Sequence, residues 1–112
     1  KGNHHGYKDV DSVPVPLGPL KKPRYPAVLV SLEGEGNVYM AFVVDTRGLI
    51  SETHVIYADD QKFADSVIEA TKEWKFKPAK KNGRDVSYVW LMPVKFHISD
   101  QPYPRTIFRD GL

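Results

Sequence analysis

The chain has 112 residues and a formal net charge of +2, so basic and acidic side chains nearly balance. This length fits one small domain, and the weak charge gives little reason to expect a polyanion such as a nucleic acid as partner. Cysteine is absent, which excludes disulfides and thiolate-bound metal but does not distinguish a reducing from an oxidising compartment.

Both ends of the chain differ in character from its middle. Residues 1–22 are predicted to form a proline-containing linker, because Pro14, Pro16 and Pro19 favour extended, polyproline-like chain. No apolar run approaches the roughly 20 residues that span a bilayer, and no secretory signal is visible. The chain begins without methionine, so we expect a fragment, upstream of which a membrane anchor or signal could lie. Residues 99–112 are predicted to be a tail that leaves the domain.

The domain, predicted over residues 23–98, begins with a possible short helix at Pro26. A strand follows, in which Val38, Met40, Phe42 and Val44 alternate with residues of the other face. The segment Asp45-Thr46-Arg47-Gly48 predicts a reverse turn, with Gly48 free to adopt positive φ.

The second strand is expected from Leu49 to about Tyr57. Its apolar residues Ile50 and Val55 stand at an even and an odd position, which in a regular strand would place them on opposite faces. A β-bulge between them is therefore needed to bring both to one face.

A helix is predicted next, capped by Asp59-Asp60. Phe63, Val67, Ala70 and Trp74 are spaced by four, three and four residues, which predicts one buried stripe that ends before Pro78. Asn82-Gly83 is a turn signal that leads into the last strand.

The last strand, predicted from Val86 to Ile98, is the most informative segment. Its large apolar residues stand at every second position, which is typical of a strand with one buried face. Pro93 interrupts this pattern, and proline is tolerated in a strand mainly where one side has no neighbour. The pattern therefore predicts an edge strand whose open flank can pair with a strand of another chain.

These elements predict an α+β fold of order (α)ββαβ. A three-stranded antiparallel sheet carries one main helix, plus the possible short N-terminal helix, on one face. The expected core residues are Val38, Met40, Phe42, Val44, Val67, Trp74, Trp90, Val94 and Phe96.

No motif of catalysis or of ligand chemistry accompanies this fold. The serines lack a Gly-x-Ser-x-Gly elbow, and neither a phosphate loop nor metal-ligand spacing is present. We therefore expect no enzyme activity, no catalytic residue, no metal and no cofactor. One alternative is a module that binds single-stranded nucleic acid, which requires exposed aromatic residues on the sheet face away from the helix.

Several segments, in order and spacing, resemble the TonB C-terminal domain family. They are Tyr25-Pro26, Glu35-Gly36, Val38, Phe42, Val44-Asp45 and Gly48 in the first half, and Trp74-Lys75-Phe76-Lys77-Pro78-Ala79, Asn82-Gly83, Pro93-Val94 and Phe96 in the second. The resemblance spans residues 25–98, and the proline-containing segment ahead is similar to the periplasmic linker of that family.

The resemblance implies a periplasmic domain of an inner-membrane-anchored energy transducer. Such a domain binds the TonB box of outer-membrane transporters by β-strand addition, and passes on proton-motive energy from the ExbB–ExbD complex for siderophore and vitamin uptake. The ExbB–ExbD contact would belong to the absent N-terminal region. The partner-binding residues are expected to be Lys22, Pro23, Arg24, Tyr25, Pro26, Val86, Ser87, Tyr88, Val89, Trp90, Leu91 and Lys95.

Two questions stay open at this point. The same fold could serve another protein-interaction role, as in a TolA-like or receptor-linked module. The β-capable segment 105–108 could fold back on the open edge and mask it, or exchange between two chains in a homodimer.

Overall fold

The structure, a computed structural model, describes residues 5, 6, 9–27, 34–97 and 105–108. The helix is α1 (Gln61–Thr71), and the strands are β1 (Val15–Pro16), β2 (Gly36–Val44), β3 (Ile50–Ala58), β4 (Phe76–Lys77), β5 (Ala79–Lys81), β6 (Arg84–Val86), β7 (Tyr88–His97) and β8 (Arg105–Phe108). In this part of the chain no helix combines the length and the apolar character needed to cross a bilayer.

The main sheet has the strand order β3-β2-β7-β8, and all of its pairings are antiparallel. Strands β3, β2 and β7 are the three predicted from the sequence, and α1 packs against β2 and β3. The α+β fold with one main helix on a three-stranded antiparallel core is therefore confirmed, and β8 adds a fourth strand. Two small antiparallel pairs, β1 with β4 and β5 with β6, lie beside this sheet.

The β2–β3 hairpin contains the predicted bulge. Ile50 pairs with Val44, whereas Val55 pairs with Met40, and one register shift, between the pairings of Val43 and Val44, separates these pairs. The extra, unpaired residue of a bulge shifts the alternation by one position, so Ile50 and Val55 lie on the same face. A second shift, between the pairings of Tyr39 and Met40, lies near the end of the hairpin.

The turn that joins β2 to β3 is held by Asp45 and Gly48. The Asp45 side chain accepts hydrogen bonds from the backbone N–H groups of Arg47, at 2.8 Å, and Leu49, at 3.1 Å. Gly48 has φ +83°, as the turn prediction required, and its carbonyl accepts a 2.9 Å hydrogen bond from the Phe76 N–H. The turn is thereby joined to β4.

Helix α1 begins where the sequence predicted. Asp60 is the N-cap, and its side chain accepts from the Lys62 N–H at 2.8 Å. Phe63, Val67 and Ala70 are buried on one stripe.

The end of α1 differs from the prediction. The helix stops at Thr71, so Pro78 does not terminate it and Trp74 lies outside it. The backbone N–H groups of residues 72–74 donate to carbonyls three residues earlier, which tightens the chain into a turn. Trp74 is nevertheless buried, and its ring lies 5.5 Å from that of Phe42.

All nine core residues predicted from the sequence are buried. They are Val38, Met40, Phe42, Val44, Val67, Trp74, Trp90, Val94 and Phe96. The core also contains Phe63, Phe76, Tyr88 and Met92, and it fills the space between α1 and one face of the sheet.

The predicted last strand is in fact two strands. The Asn82-Gly83 turn, with φ +54° and +78°, closes the β5–β6 hairpin, in which Val86 pairs with Ala79. Ser87 separates this hairpin from β7. Val86 and Ser87 are thus not part of the long strand, and the predicted end at Ile98 lies outside the described residues.

The first helix was expected from Pro26. Ala27 is helical, and the following residues 28–33 lie outside the described part of the chain.

Candidate functional site: the outer edge of β7

The outer edge of β7 is its side away from β2, and alternate residues point their backbone groups toward it. The Ser87 carbonyl and the Val89 N–H face outward, since both bond to His5. Successive residues of a strand point to opposite sides, and the β2–β7 register runs without a shift. The backbone groups of Leu91, Pro93 and Lys95 therefore also point toward this edge.

The same alternation assigns each residue of β7 to one of two roles. Tyr88 and Trp90 turn their side chains into the core, each 5% exposed, and their backbone groups toward β2. Val89, Leu91 and Lys95 combine outward backbone groups with side chains on the face opposite α1. A strand docked on the edge would therefore contact the second set, and Tyr88 and Trp90 would act only by shaping the core beneath it.

Strand β8 covers the far end of this edge. It pairs antiparallel with β7 over four residues, from Val94↔Phe108 to His97↔Arg105. The prediction of a flank without a neighbour is therefore wrong at this end, and the alternative in which the tail folds back on the edge is the one observed. The reason is geometric, because a proline in β7 blocks one ladder position and leaves the residues after it able to pair.

The near end of the edge is covered by the N-terminal segment. His5 bridges to β7 in parallel, with its N–H donating to the Ser87 carbonyl at 3.1 Å and its carbonyl accepting from the Val89 N–H at 2.8 Å. The prediction of an open flank is wrong here too.

Between the two covered ends lies a short stretch around Leu91 and Pro93. No strand or bridge among the described residues pairs with its outer side. The outward groups there are the N–H and C=O of Leu91 and the C=O of Pro93, because proline has no N–H to donate. A longer guest strand must displace β8, His5 or both.

The segment Lys22–Pro26, the other predicted partner contact, reaches β7 through Tyr25. The Tyr25 ring meets those of Phe63 and Phe96 edge-on, with centroids 5.9 and 5.5 Å away. Burial, with a smaller contribution from the Glu35 carboxylate, raises the pKa of the Tyr25 hydroxyl. Pro23 is buried, so these two residues anchor the segment on the domain.

The remaining members of this segment line a groove of about 440 Å³ against α1. The Ser66 hydroxyl donates to the Arg24 carbonyl, and the Trp74 indole N–H donates to the Lys21 carbonyl at 2.7 Å. Lys22 and Arg24 are exposed. The groove lining mixes both charge signs, with Lys21, Lys22, Arg24, Lys62, Asp65, Glu69 and Glu73.

The sheet face opposite α1 carries two exposed tyrosines. Tyr39 and Tyr57 pair across β2 and β3, and they are 36% and 54% exposed. The other aromatic residues of β2 and β7, Phe42, Tyr88, Trp90 and Phe96, are in the core. The nucleic-acid alternative required a face rich in aromatics, and the described sheet presents this single pair.

The geometry defines a small α+β domain whose three-stranded core sheet is extended at the edge of β7 by β8. A comparison with models of protein families matches residues 21–98 to the family described as Gram-negative bacterial TonB protein C-terminal. The chain belongs to this family, which comprises interaction domains of energy-transducing transport proteins rather than enzymes.

A solved structure shows the same fold. The chain is similar to the solution NMR structure of the Pseudomonas aeruginosa TonB C-terminal domain, with a TM-score of 0.66 and 24% identity over 87% of this chain and 96% of that one. At this identity the likeness establishes the fold. A search of curated protein sequences finds no match.

Proposed function

We propose that this chain is the periplasmic C-terminal domain of a TonB-like energy transducer and binds the TonB box of outer-membrane transporters by adding it as a strand to the outer edge of β7. The observation that supports this most directly is β8 itself, because a short antiparallel strand already extends the sheet at this edge. A guest segment longer than β8 would use the same backbone groups and continue along the edge to Leu91 and Val89.

Backbone pairing would allow a broad choice of partners. Each hydrogen bond gained contributes about 0.5–1.5 kcal/mol net and depends little on side-chain identity. Val89, Leu91 and Lys95, whose side chains line the edge on the face opposite α1, would supply what selectivity there is. One domain could in this way serve several transporters.

The same geometry suits the transmission of force. A pull along the axis of the added strand loads its hydrogen bonds together in shear, so a small contact resists it as a unit. The pull would come from an inner-membrane anchor and the ExbB–ExbD complex, both acting through sequence upstream of this segment. Lys22 and Arg24, exposed beside α1, would meet acidic groups near the transporter plug.

The test is to titrate a TonB-box peptide into the chain and to follow backbone amide shifts. We expect the largest shifts at Val89, Leu91 and Lys95, and small shifts in β3 at the opposite edge. Two further peptides serve as matched controls, N-methylated at alternate residues in the two possible phases. Only the phase that removes the N–H groups facing β7 should abolish binding. Equal loss with both peptides, or shifts confined to β3, would exclude strand addition at this edge.

A further inference from the structure

The described residues of the N-terminal segment lie along one side of the domain. We define the N-terminal strap as His5 together with residues 9–17. Leu17 donates to the Lys75 carbonyl at 2.9 Å, and Val15 pairs with Lys77 in the β1–β4 ladder. Ser12 and Lys80 exchange backbone hydrogen bonds at 3.3 and 3.0 Å. The strap thus follows β4 and β5 in the direction of β7.

Charged side chains fix the strap to the β5–β6 hairpin. The Asp9 carboxylate lies 2.8 Å from the Lys81 Nζ and 2.5 Å from the His5 Nδ1. The hydrogen bond from Lys81, and then the one from His5, hold the pKa of Asp9 below its usual value. Asp11 accepts from the Asn82 N–H at 2.7 Å. Asp9 therefore links His5, at the strap's end, to the hairpin.

The end of the strap occupies backbone groups that a guest strand would need. His5 bonds to the Ser87 carbonyl and the Val89 N–H, which are the first two outward groups beside β7. A guest strand that extends past Leu91 toward the start of β7 meets His5 before it can pair there. Strap and guest are mutually exclusive over this half of the edge.

We propose that the N-terminal strap is an intrachain competitor for the outer edge of β7, and that release of its Asp9–Lys81 contact admits the guest strand to Ser87–Val89. This inference rests on the proposed function and specifies how the same site is regulated. Its competitor is parallel to β7 and comes from the N-terminal side, whereas β8 is antiparallel and comes from the C-terminal side. The two ends of the edge are therefore controlled separately.

The test combines charge reversal with charge exchange in the full chain. D9K places like charges beside each other at residues 9 and 81 and should release the His5 end of the strap from β7. The double variant D9K/K81D restores an opposite pair with exchanged signs and should close it again. Hydrogen exchange at the Val89 amide measures strap opening without any ligand, and thermal melting confirms that the variants fold.

The expected result has two parts. In D9K the Val89 amide exchanges faster and the TonB-box peptide binds about tenfold more tightly, since the guest no longer competes for two backbone hydrogen bonds. Both values return toward those of the original chain in D9K/K81D. Deletion of residues 1–8, which removes His5 and leaves the β1–β4 pairing, should reproduce the D9K result.

The failures are distinguishable. If Val89 exchange rises in D9K while the peptide binds at Leu91 and Val89 with unchanged affinity, the strap is not a competitor, although the proposed function stands. If D9K leaves Val89 exchange unchanged, the charged contact does not hold the strap, and the inference is again overturned alone. If no variant binds the peptide at β7, both the proposed function and the inference fail.

Discussion

Removal of β8 is the most direct way to test whether the edge of β7 is a regulated binding site. Deletion of residues 99–112 exposes the outward groups of Lys95 and His97, which β8 covers through the pairs Lys95↔Ile107 and His97↔Arg105. Two such pairs comprise about four hydrogen bonds in an antiparallel ladder. We expect the deletion to raise affinity for a TonB-box peptide.

The size of this effect follows from two opposing contributions. About four hydrogen bonds stabilise the docked strand by roughly 2–6 kcal/mol, and ordering the backbone of its four residues costs roughly 4–8 kcal/mol. Since β8 is docked, the hydrogen bonds must exceed the ordering cost, and these two ranges allow an excess of at most about 2 kcal/mol. We therefore expect β8 to be held by about 1 kcal/mol. Its loss should therefore strengthen peptide binding about fivefold.

Isothermal titration calorimetry at fixed peptide composition measures the change. The matched control deletes residues 109–112 alone, which shortens the chain and keeps Arg105–Phe108; its affinity should equal that of the full chain. Unchanged affinity after deletion of 99–112 would refute the reasoning. If the tail exchanges between two copies, the gain should depend on protein concentration, and sedimentation would show a dimer that the deletion abolishes.

Three predictions concern the stability of the scaffold. G48A should lower the free energy of unfolding by about 2 kcal/mol or more, because the residue has φ +83° and an added Cβ would lie 1.9 Å from the Phe76 carbonyl oxygen; urea denaturation measures this. D60A should cost about 1 kcal/mol through loss of the α1 cap, again by urea denaturation. The pKa of Asp45 is lowered from 3.8, since hydrogen bonds from Arg47 and the turn backbone outweigh its partial burial. Its stabilising effect is therefore nearly complete by about pH 5, above the unfolded pKa, and is lost as pH falls through the folded pKa; D45N should flatten this part of the acid denaturation profile.

Matched controls exist for the turn and for the helix cap. T46A lies in the same turn at an exposed position and should change stability little, whereas D60S retains a capping hydroxyl and should recover most of the D60A loss. A G48A variant as stable as the original chain, or an acid profile identical in D45N, would contradict the roles assigned to this turn.

The central sheet could be predicted because its signals are local. Alternation in β2 and β7, the turn at Gly48 and the cap at Asp60 each depend on a few neighbouring residues. Even the bulge near Ile50 is visible as a change of parity between apolar positions. Such features are fixed by steric preference and by the need to bury one face of a strand.

The end of α1 could not be predicted in this way. Trp74 has the spacing of the helical stripe, and no glycine or proline interrupts residues 71–74. Its position is determined by the tertiary contacts of its ring and by the hydrogen bond to the Lys21 carbonyl. The break at Ser87 could not be predicted either. Val86 continues the alternating apolar pattern of β7, but it pairs with Ala79 in the β5–β6 hairpin.

The cover on the candidate site was the least visible feature of all. Pro14 and Pro16 predict an extended linker, and an extended chain is also the conformation that pairs with a strand such as β4. The sequence therefore indicated the backbone conformation of residues 9–17 and not where the segment docks. The masking by β8 appeared only as one of two alternatives, because pairing between distant segments depends on register and not on composition.

His5 and β8, which lie near opposite ends of the sequence, both pair with β7, and this has a practical consequence. A purification tag or fluorescent fusion at either terminus would be attached close to the surface whose affinity is to be measured, and could alter occupancy by either competitor. A label on β3 avoids this, for example at Ser51, which is exposed and lies on the opposite edge of the sheet. The position of the label thus determines whether a binding assay measures the protein with His5 and β8 in place on β7, or a protein in which the label has already displaced one of them.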